Sequence, residues 1–249
     1  MSTSSEFAEQ RVCKGIASGL RARLALHVLT DHGWARGRDL YAIVSAALDG
    51  GATVIQLRDK TASTRMLVEQ GLALRQLTRE RGALLIVNDR IDVALAIDAD
   101  GAHVGQDDMP VELARRLLGP QRILGVSAGN QQEALTAIAG GADYLGVGPI
   151  YATPTKADAG PAIGLHLLHE LAVRSDISTP LVAIGGITAE NAGEVIRAGA
   201  VGVAVISAVI GADDVALAAR HLSTVVQSAL AARREDSHAE ADTNPKLSS

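Results

Sequence analysis

The sequence predicts a (β/α)8 barrel, the TIM-barrel architecture, on three observations. Eight short apolar, β-prone runs alternate with eight longer segments whose apolar residues recur at three- and four-residue spacing. Four joints, "DGGATVI", "DADGAHV", "AGGADYL" and "RAGAVGV", share one grammar: glycine closes a helix in the left-handed cap position, alanine follows and a strand begins. The alternation fills about 210 residues, the size expected of such a barrel, whereas a doubly wound open sheet is the competing α/β arrangement.

The elements follow in order. Strand "LALHVLT" (24–30) leads to a helix over 39–49, and "TVIQLR" (53–58) to a helix over 62–81. "LLIVND" (84–89) precedes a helix over 91–97, "AHVG" (102–105) one over 110–118, and "ILGVSA" (123–128) one over 130–139. "YLGVG" (144–148) is followed by a helix over 163–175, "PLVAIGG" (180–186) by one over 189–198, and "VGVAVIS" (201–207) by one over 213–230. Residues 1–20 are expected to form an N-terminal extension, with a helix across the barrel's lower end, and residues 21–230 the single catalytic domain. Residues 231–249, ending in the polar "REDSHAEADTNPKLSS", are expected to be a disordered tail.

Composition narrows the function. Hydrophobic residues make up 47% of the 249 and aromatics only 2%, so the core must be built from Ala, Val, Leu and Ile, as in buried parallel sheets. A net charge of -5 argues against a nucleic-acid binder held by charge. Cys13 is the only cysteine, which excludes an intramolecular disulfide and fits a reducing, cytoplasmic setting. No apolar run approaches the roughly 18 to 20 residues that span a bilayer, and "MSTSSEFAEQ" lacks the basic start of an export signal, so no membrane partner is expected. A homo-oligomer is compatible with the sequence, which does not fix the oligomeric state.

In a barrel the chemistry collects where strands end. After strand 2, "QLRDK" places Gln56 and Arg58 on one face, Leu57 toward the helices and Lys60 just beyond, a set suited to phosphate oxygens. A solvated charge cluster or an Arg58–Asp59 ion pair is the alternative. "VNDR" and "GQDD" follow strands 3 and 4. Asp89 and Asp108 would project beside those cations, as ligands of Mg2+ or as helix N-caps. Ser127 ends strand 5 without a nucleophile elbow, which gives covalent catalysis little support. The loop "GVGPIYATPTK" (146–156) carries two prolines, the hydroxyls of Tyr151, Thr153 and Thr155, and Lys156. Gly185, Gly186, Ile206 and Ser207, after strands 7 and 8, allow backbone N–H groups to approach a phosphate. Of the seven histidines, His27 and His103 read as satisfied interior residues, His32 alone follows a strand end, and none is assigned a metal. Two anion pockets emerge, which two phosphorylated small-molecule substrates would fill.

"QLRDK", "VND", "GQDD", "GVSA", "GVGPIYATPTK", "AIGGIT" and "AVISA", in that order over roughly residues 24–210, resemble the thiamine phosphate synthase family. The resemblance implies a (β/α)8 barrel that joins hydroxymethylpyrimidine diphosphate to a thiazole phosphate and releases pyrophosphate. It implies that Gln56, Arg58, Lys60, Asn88, Ser127 and Lys156 bind the pyrimidine diphosphate and that Asp89 and Asp108 ligate Mg2+. It further implies that Thr153, Pro154, Thr155, Gly186, Ile206 and Ser207 bind the thiazole phosphate. Arg58, Lys60, Ser127 and Lys156 would carry the catalytic roles in a dissociative substitution. A thiazole tautomerase, a non-catalytic phosphate-ligand sensor and a phosphosugar isomerase are the rival readings.

Overall fold

The computed structural model describes residues 16–153, 155 and 160–243. Pro154 and Lys156, both expected at the site, lie outside the described residues.

Eight parallel strands close on themselves in sequence order, with β1 (Leu26–Leu29) hydrogen-bonded to β8 (Gly202–Val205). Between them lie β2 (Val54–Leu57), β3 (Leu84–Asn88), β4 (Gly101–Val104), β5 (Ile123–Ala128), β6 (Tyr144–Val147) and β7 (Leu181–Ile184). The expected (β/α)8 barrel is the fold of the protein.

Period-two alternation sorts the strand side chains into two cores. Ile55, Leu57, Leu85, Val87, Ala102, Val104, Val126 and Leu145 face the surrounding helices in one large buried cluster. Val54, Leu84, Ile86, Ile123, Tyr144, Val182 and Ala204 face inward in a second. The inner cluster also takes Leu20 and Leu24, from and just after α1 (Ile16–Arg23), so this helix closes the end of the barrel where the strands begin. A helix was expected at this end from residues 1–20; α1 straddles residue 20, and residues 1–15 lie outside the described residues.

The outer helices that follow the strands are α3 (Leu40–Asp49), α4 (Thr64–Glu80), α5 (Ile91–Ala96), α6 (Val111–Leu118), α7 (Gln131–Ala139), α8 (His166–Ala172), α9 (Ala192–Arg197) and α11 (Val215–Thr243). Each overlaps the segment predicted from apolar spacing. Two four-residue helices were not foreseen: α2 (His32–Ala35), after β1, and α10 (Ser207–Ile210), after β8. Such a short turn leaves no periodicity to detect.

The helix-to-strand joints follow the predicted grammar with a shift. Gly51, Gly141 and Gly199 take the positive φ at three of them (102°, 97° and 121°). At the fourth, Asp98 takes it (51°), and Gly101 serves close packing instead, since a Cβ there would lie 2.0 Å from the Ile123 carbonyl oxygen.

The last helix departs most from expectation. It runs to Thr243, past the predicted end at 230 and into the segment expected to be disordered. "ALAARREDSHAEAD" is rich in strong helix formers, so propensity favours continuation. Arg233 also anchors it, donating from Nη1 to the carbonyls of Ile196 (2.6 Å) and Ala200 (2.8 Å) at the end of α9. Among the described residues, no helix is long and apolar enough to cross a membrane.

Candidate active site

One cavity of about 680 Å3 opens where the strands end. It gathers Lys60, Asn88, Asp89, Asp108, Ser127, Thr153, Thr155, Gly186, Ile206 and Ser207, residues expected at the site from loops far apart in sequence.

The β2 end is organised by buried polar contacts. Arg58 is only 8% exposed and donates from Nη1 to Asp31 Oδ2 at 2.8 Å, while Asp31 Oδ1 caps α2 through the Trp34 N–H. The ion pair considered from sequence, with Asp59, is replaced by this one. Thr30 locks the same strand end: its hydroxyl donates to the Arg58 carbonyl at 2.9 Å and accepts the Arg58 N–H at 2.8 Å. Arg58 is therefore held beside the cavity, not in its wall.

Asp59 shapes the turn that carries Lys60. Its Oδ1 accepts from the Thr61 N–H and hydroxyl and the Ala62 N–H, all within 3.0 Å, and Oδ2 lies 3.0 Å from His32 Nε2. Burial works to raise the Asp59 pKa, but these hydrogen bonds outweigh it and hold the carboxyl below its ordinary value. Gln56 sits deeper. It is buried inside the barrel and acts on the Tyr144 hydroxyl, and it does not line the cavity.

The two acidic residues do not act as the helix caps considered from sequence. The position before α5 is Arg90 and that before α6 is Pro110, neither with a side-chain cap. Asp89 instead adopts a left-handed backbone (φ 62°), uncommon for a non-glycine residue, and its N–H is fixed by the His103 carbonyl at 2.8 Å. Asp108 is oriented by the Gly105 N–H, which donates to Oδ2 at 2.7 Å. Among the described residues no group of three or more His, Cys, Asp or Glu side chains could hold a metal. Two carboxylates on an open cavity are nonetheless a donor set that suits Mg2+, which keeps waters and takes phosphate oxygens for its remaining positions.

The opposite wall is mostly backbone and hydroxyl. The loop after β6 is pinned at its base: Ile150 and Tyr151 donate to the carbonyls of Ile184 (2.9 Å) and Gly185 (3.0 Å), and the Tyr151 hydroxyl donates to Glu194. The loop then brings Thr155 to within 3.3 Å of Ser207, hydroxyl to hydroxyl. Gly186 has φ 64°, and a Cβ there would lie 2.7 Å from that of Tyr151, so backbone approaches backbone at this point.

Trp34 and His103 are among the lining residues that sequence reasoning passed over. Trp34 belongs to a helix too short to predict. His103, read as an interior histidine, lines the cavity and hydrogen-bonds Ser127. Its register opposite Asn88 and Gly125 would have placed it at the mouth.

Comparison with known proteins gives the family. The family profile described as "Thiamine monophosphate synthase" matches residues 26–209. The thiamine-phosphate synthase of Chloroflexus aurantiacus is 61% identical over 201 residues, covering 81% of this chain and 92% of that protein. The thiamine-phosphate synthase of Moorella thermoacetica is 58% identical, covering 78% of this chain and 91% of its own. The solved thiamine phosphate pyrophosphorylase from Pyrococcus furiosus superposes with a TM-score of 0.77 at 46% identity, over 85% of this chain and 99% of that one. The sequence motifs, the closed barrel and these matches agree: the chain belongs to the thiamine monophosphate synthase family.

Proposed function

We propose that this enzyme, a transferase, joins 4-amino-2-methyl-5-hydroxymethylpyrimidine diphosphate to a thiazole phosphate, releasing pyrophosphate and forming thiamine phosphate. The observation that carries the reading is that one cavity has two chemically different walls, each suited to an anion. Lys60, Asn88, Asp89, Asp108 and Ser127 form a charged side-chain wall, while Gly186, Ile206, Ser207, Thr153 and Thr155 form a backbone-and-hydroxyl wall.

The charged wall takes the diphosphate. As the bond between the pyrimidine methylene carbon and the diphosphate oxygen breaks, negative charge grows on the leaving group. The ammonium of Lys60 and the hydroxyl of Ser127 are placed to stabilise it, and Arg58 adds positive potential from beside the cavity. Lys156, at the end of the loop after β6, is assigned the same task. Asp89 and Asp108 would hold Mg2+, which supplies charge neutralisation to the leaving diphosphate when bound.

The second wall holds the thiazole phosphate by its oxygens, through the hydroxyls of Thr153, Thr155 and Ser207. The thiazole nitrogen then faces the methylene carbon and forms the new C–N bond. Pro154 stands between the two threonines in the sequence, where a proline narrows the backbone freedom of the unbound chain. A tautomerase or a sensor would need only one of the two walls.

The test mixes purified protein with both substrates, with and without Mg2+, and follows thiamine phosphate. Metal-dependent product is expected. Binding of either substrate without product would overturn the reading in favour of a sensor, and tautomerisation of the thiazole alone in favour of a tautomerase.

A further inference from the structure

The interior of a (β/α)8 barrel is normally filled by branched apolar side chains. Here a column of polar groups runs through it to the cavity. Tyr144 Oη lies 3.0 Å from His103 Nδ1, and His103 Nε2 lies 2.9 Å from Ser127 Oγ, with the buried Gln56 amide acting on the Tyr144 hydroxyl from below. Ser127 and His103 line the cavity, whereas Tyr144 is wholly buried (1% exposed).

Space for this column is made by two glycines within strands, where glycine otherwise weakens a sheet. A Cβ on Gly125 would lie 2.2 Å from the Tyr144 ring and 2.4 Å from His103 Nδ1, and one on Gly146 would lie 2.9 Å from His103 Cε1. Strands β5 and β6 thus give up side chains where His103 and Tyr144 meet.

The hydrogen bonds have a direction. Burial, reinforced by the Asp143 charge, pushes the Tyr144 pKa far up, so its hydroxyl keeps its proton. Gln56 opposes that shift, the effect of an amide N–H turned toward the phenol oxygen. The phenol proton is then available to His103 Nδ1, which places the imidazole hydrogen on Nε2, facing Ser127 Oγ. With its oxygen accepting that hydrogen, the serine hydroxyl proton is left to point away, toward the cavity.

We propose that Tyr144 and His103 are positioning residues that fix Ser127 as a hydrogen-bond donor to the departing diphosphate, acting through a directed chain from Gln56. The inference rests on the reaction assigned above.

Two measurements test it. The first is the 15N spectrum of the His103 ring in the ligand-free wild-type protein, identified by its loss in His103→Gln. A proton on Nε2 with Nδ1 bare is expected. A proton on Nδ1 would reverse the chain, turn the serine proton toward His103 and overturn the proposal.

The second compares steady-state kinetics of Tyr144→Phe, His103→Ala and His103→Gln. Removing the outer partner that orients a metal ligand typically costs about 10- to 100-fold, and a loss of the same order is taken for a partner that orients Ser127. That loss is expected in kcat for Tyr144→Phe and His103→Ala, with KM for the thiazole phosphate unchanged. His103→Gln, which restores an N–H toward Ser127, should recover part of it. Wild-type kcat in Tyr144→Phe, or equal losses in both His103 variants, would overturn the proposal while leaving the reaction assignment intact. A wild-type protein that turns over nothing would instead remove the assignment itself, and the tautomer measurement would still decide the chain's direction.

Discussion

The two walls of the cavity recognise anions by different means. On the β2–β5 side the contacts are ionisable or polar side chains, each braced by a neighbour: the turn held by Asp59 under Lys60, the Gly105 N–H on Asp108, His103 on Ser127. On the β6–β8 side the wall is glycine, backbone and small hydroxyls, with a loop strapped to the β7 end by Ile150 and Tyr151. A side-chain wall can follow a charge that changes during reaction. A backbone wall holds a group that stays the same. The first should therefore govern turnover and the second affinity.

That division can be broken by substitution. The largest effect is expected from Asp108→Asn, which keeps the shape but removes a negative charge from the metal position. It should lower kcat about 10²- to 10³-fold, the cost of losing one preorganised electrostatic contact, with little change in thiazole phosphate KM. Gly186→Ala should do the reverse. Its φ of 64° costs a side-chain-bearing residue about 1–2 kcal/mol, and its Cβ meets Tyr151, so thiazole phosphate KM should rise about tenfold or more while kcat at saturation holds. Equal losses of kcat in both variants would erase the distinction between the walls.

Beneath the walls, His27 sets an acid limit on the scaffold. Its Nε2 has no hydrogen-bond partner among the described residues, and burial, with the nearby His103 second, lowers its pKa from 6.5 to about 3. Between those values the unfolded chain binds a proton that the folded one refuses. Stability should therefore fall as pH drops below 6.5, by up to about 1.4 kcal/mol per pH unit, and the fall should level off near pH 3. Denaturant titrations from pH 7 to 4 should show this slope reduced by one proton in His27→Leu. An unchanged slope would mean that other groups set the acid limit. The smallest effect is expected from Ser207→Ala, a hydrogen-bond loss of about 0.5–1.5 kcal/mol that should raise thiazole phosphate KM only a few-fold.

Much of this was legible in the sequence because barrel chemistry is written at strand ends. Period-two alternation placed Gln56 and Arg58 on the inward side, the joint "DADGAHV" located the strand that leads to Asp108, and the apolar β-prone runs located those that deliver Asp89 and Ser127. Alternation gives direction but not depth. Gln56 points inward yet stops below the cavity, and Arg58 is turned aside by Asp31, a partner 27 residues earlier in the chain. The Tyr144–His103–Ser127 column depends on the register between β4, β5 and β6, which no single segment encodes. Nor did polarity foretell the length of the last helix, because alanine and arginine carry it onward and Arg233 ties it to α9.

The central claim is that one cavity holds two anions at once, and calorimetric titration of the wild-type protein tests it most directly. Mg2+ and inorganic pyrophosphate are bound first, and thiazole phosphate is then added. The account predicts that each ligand binds one-to-one and that saturating one leaves the other's site available, giving a ternary complex. Mutual displacement would show a single anion pocket and contradict the two-wall account.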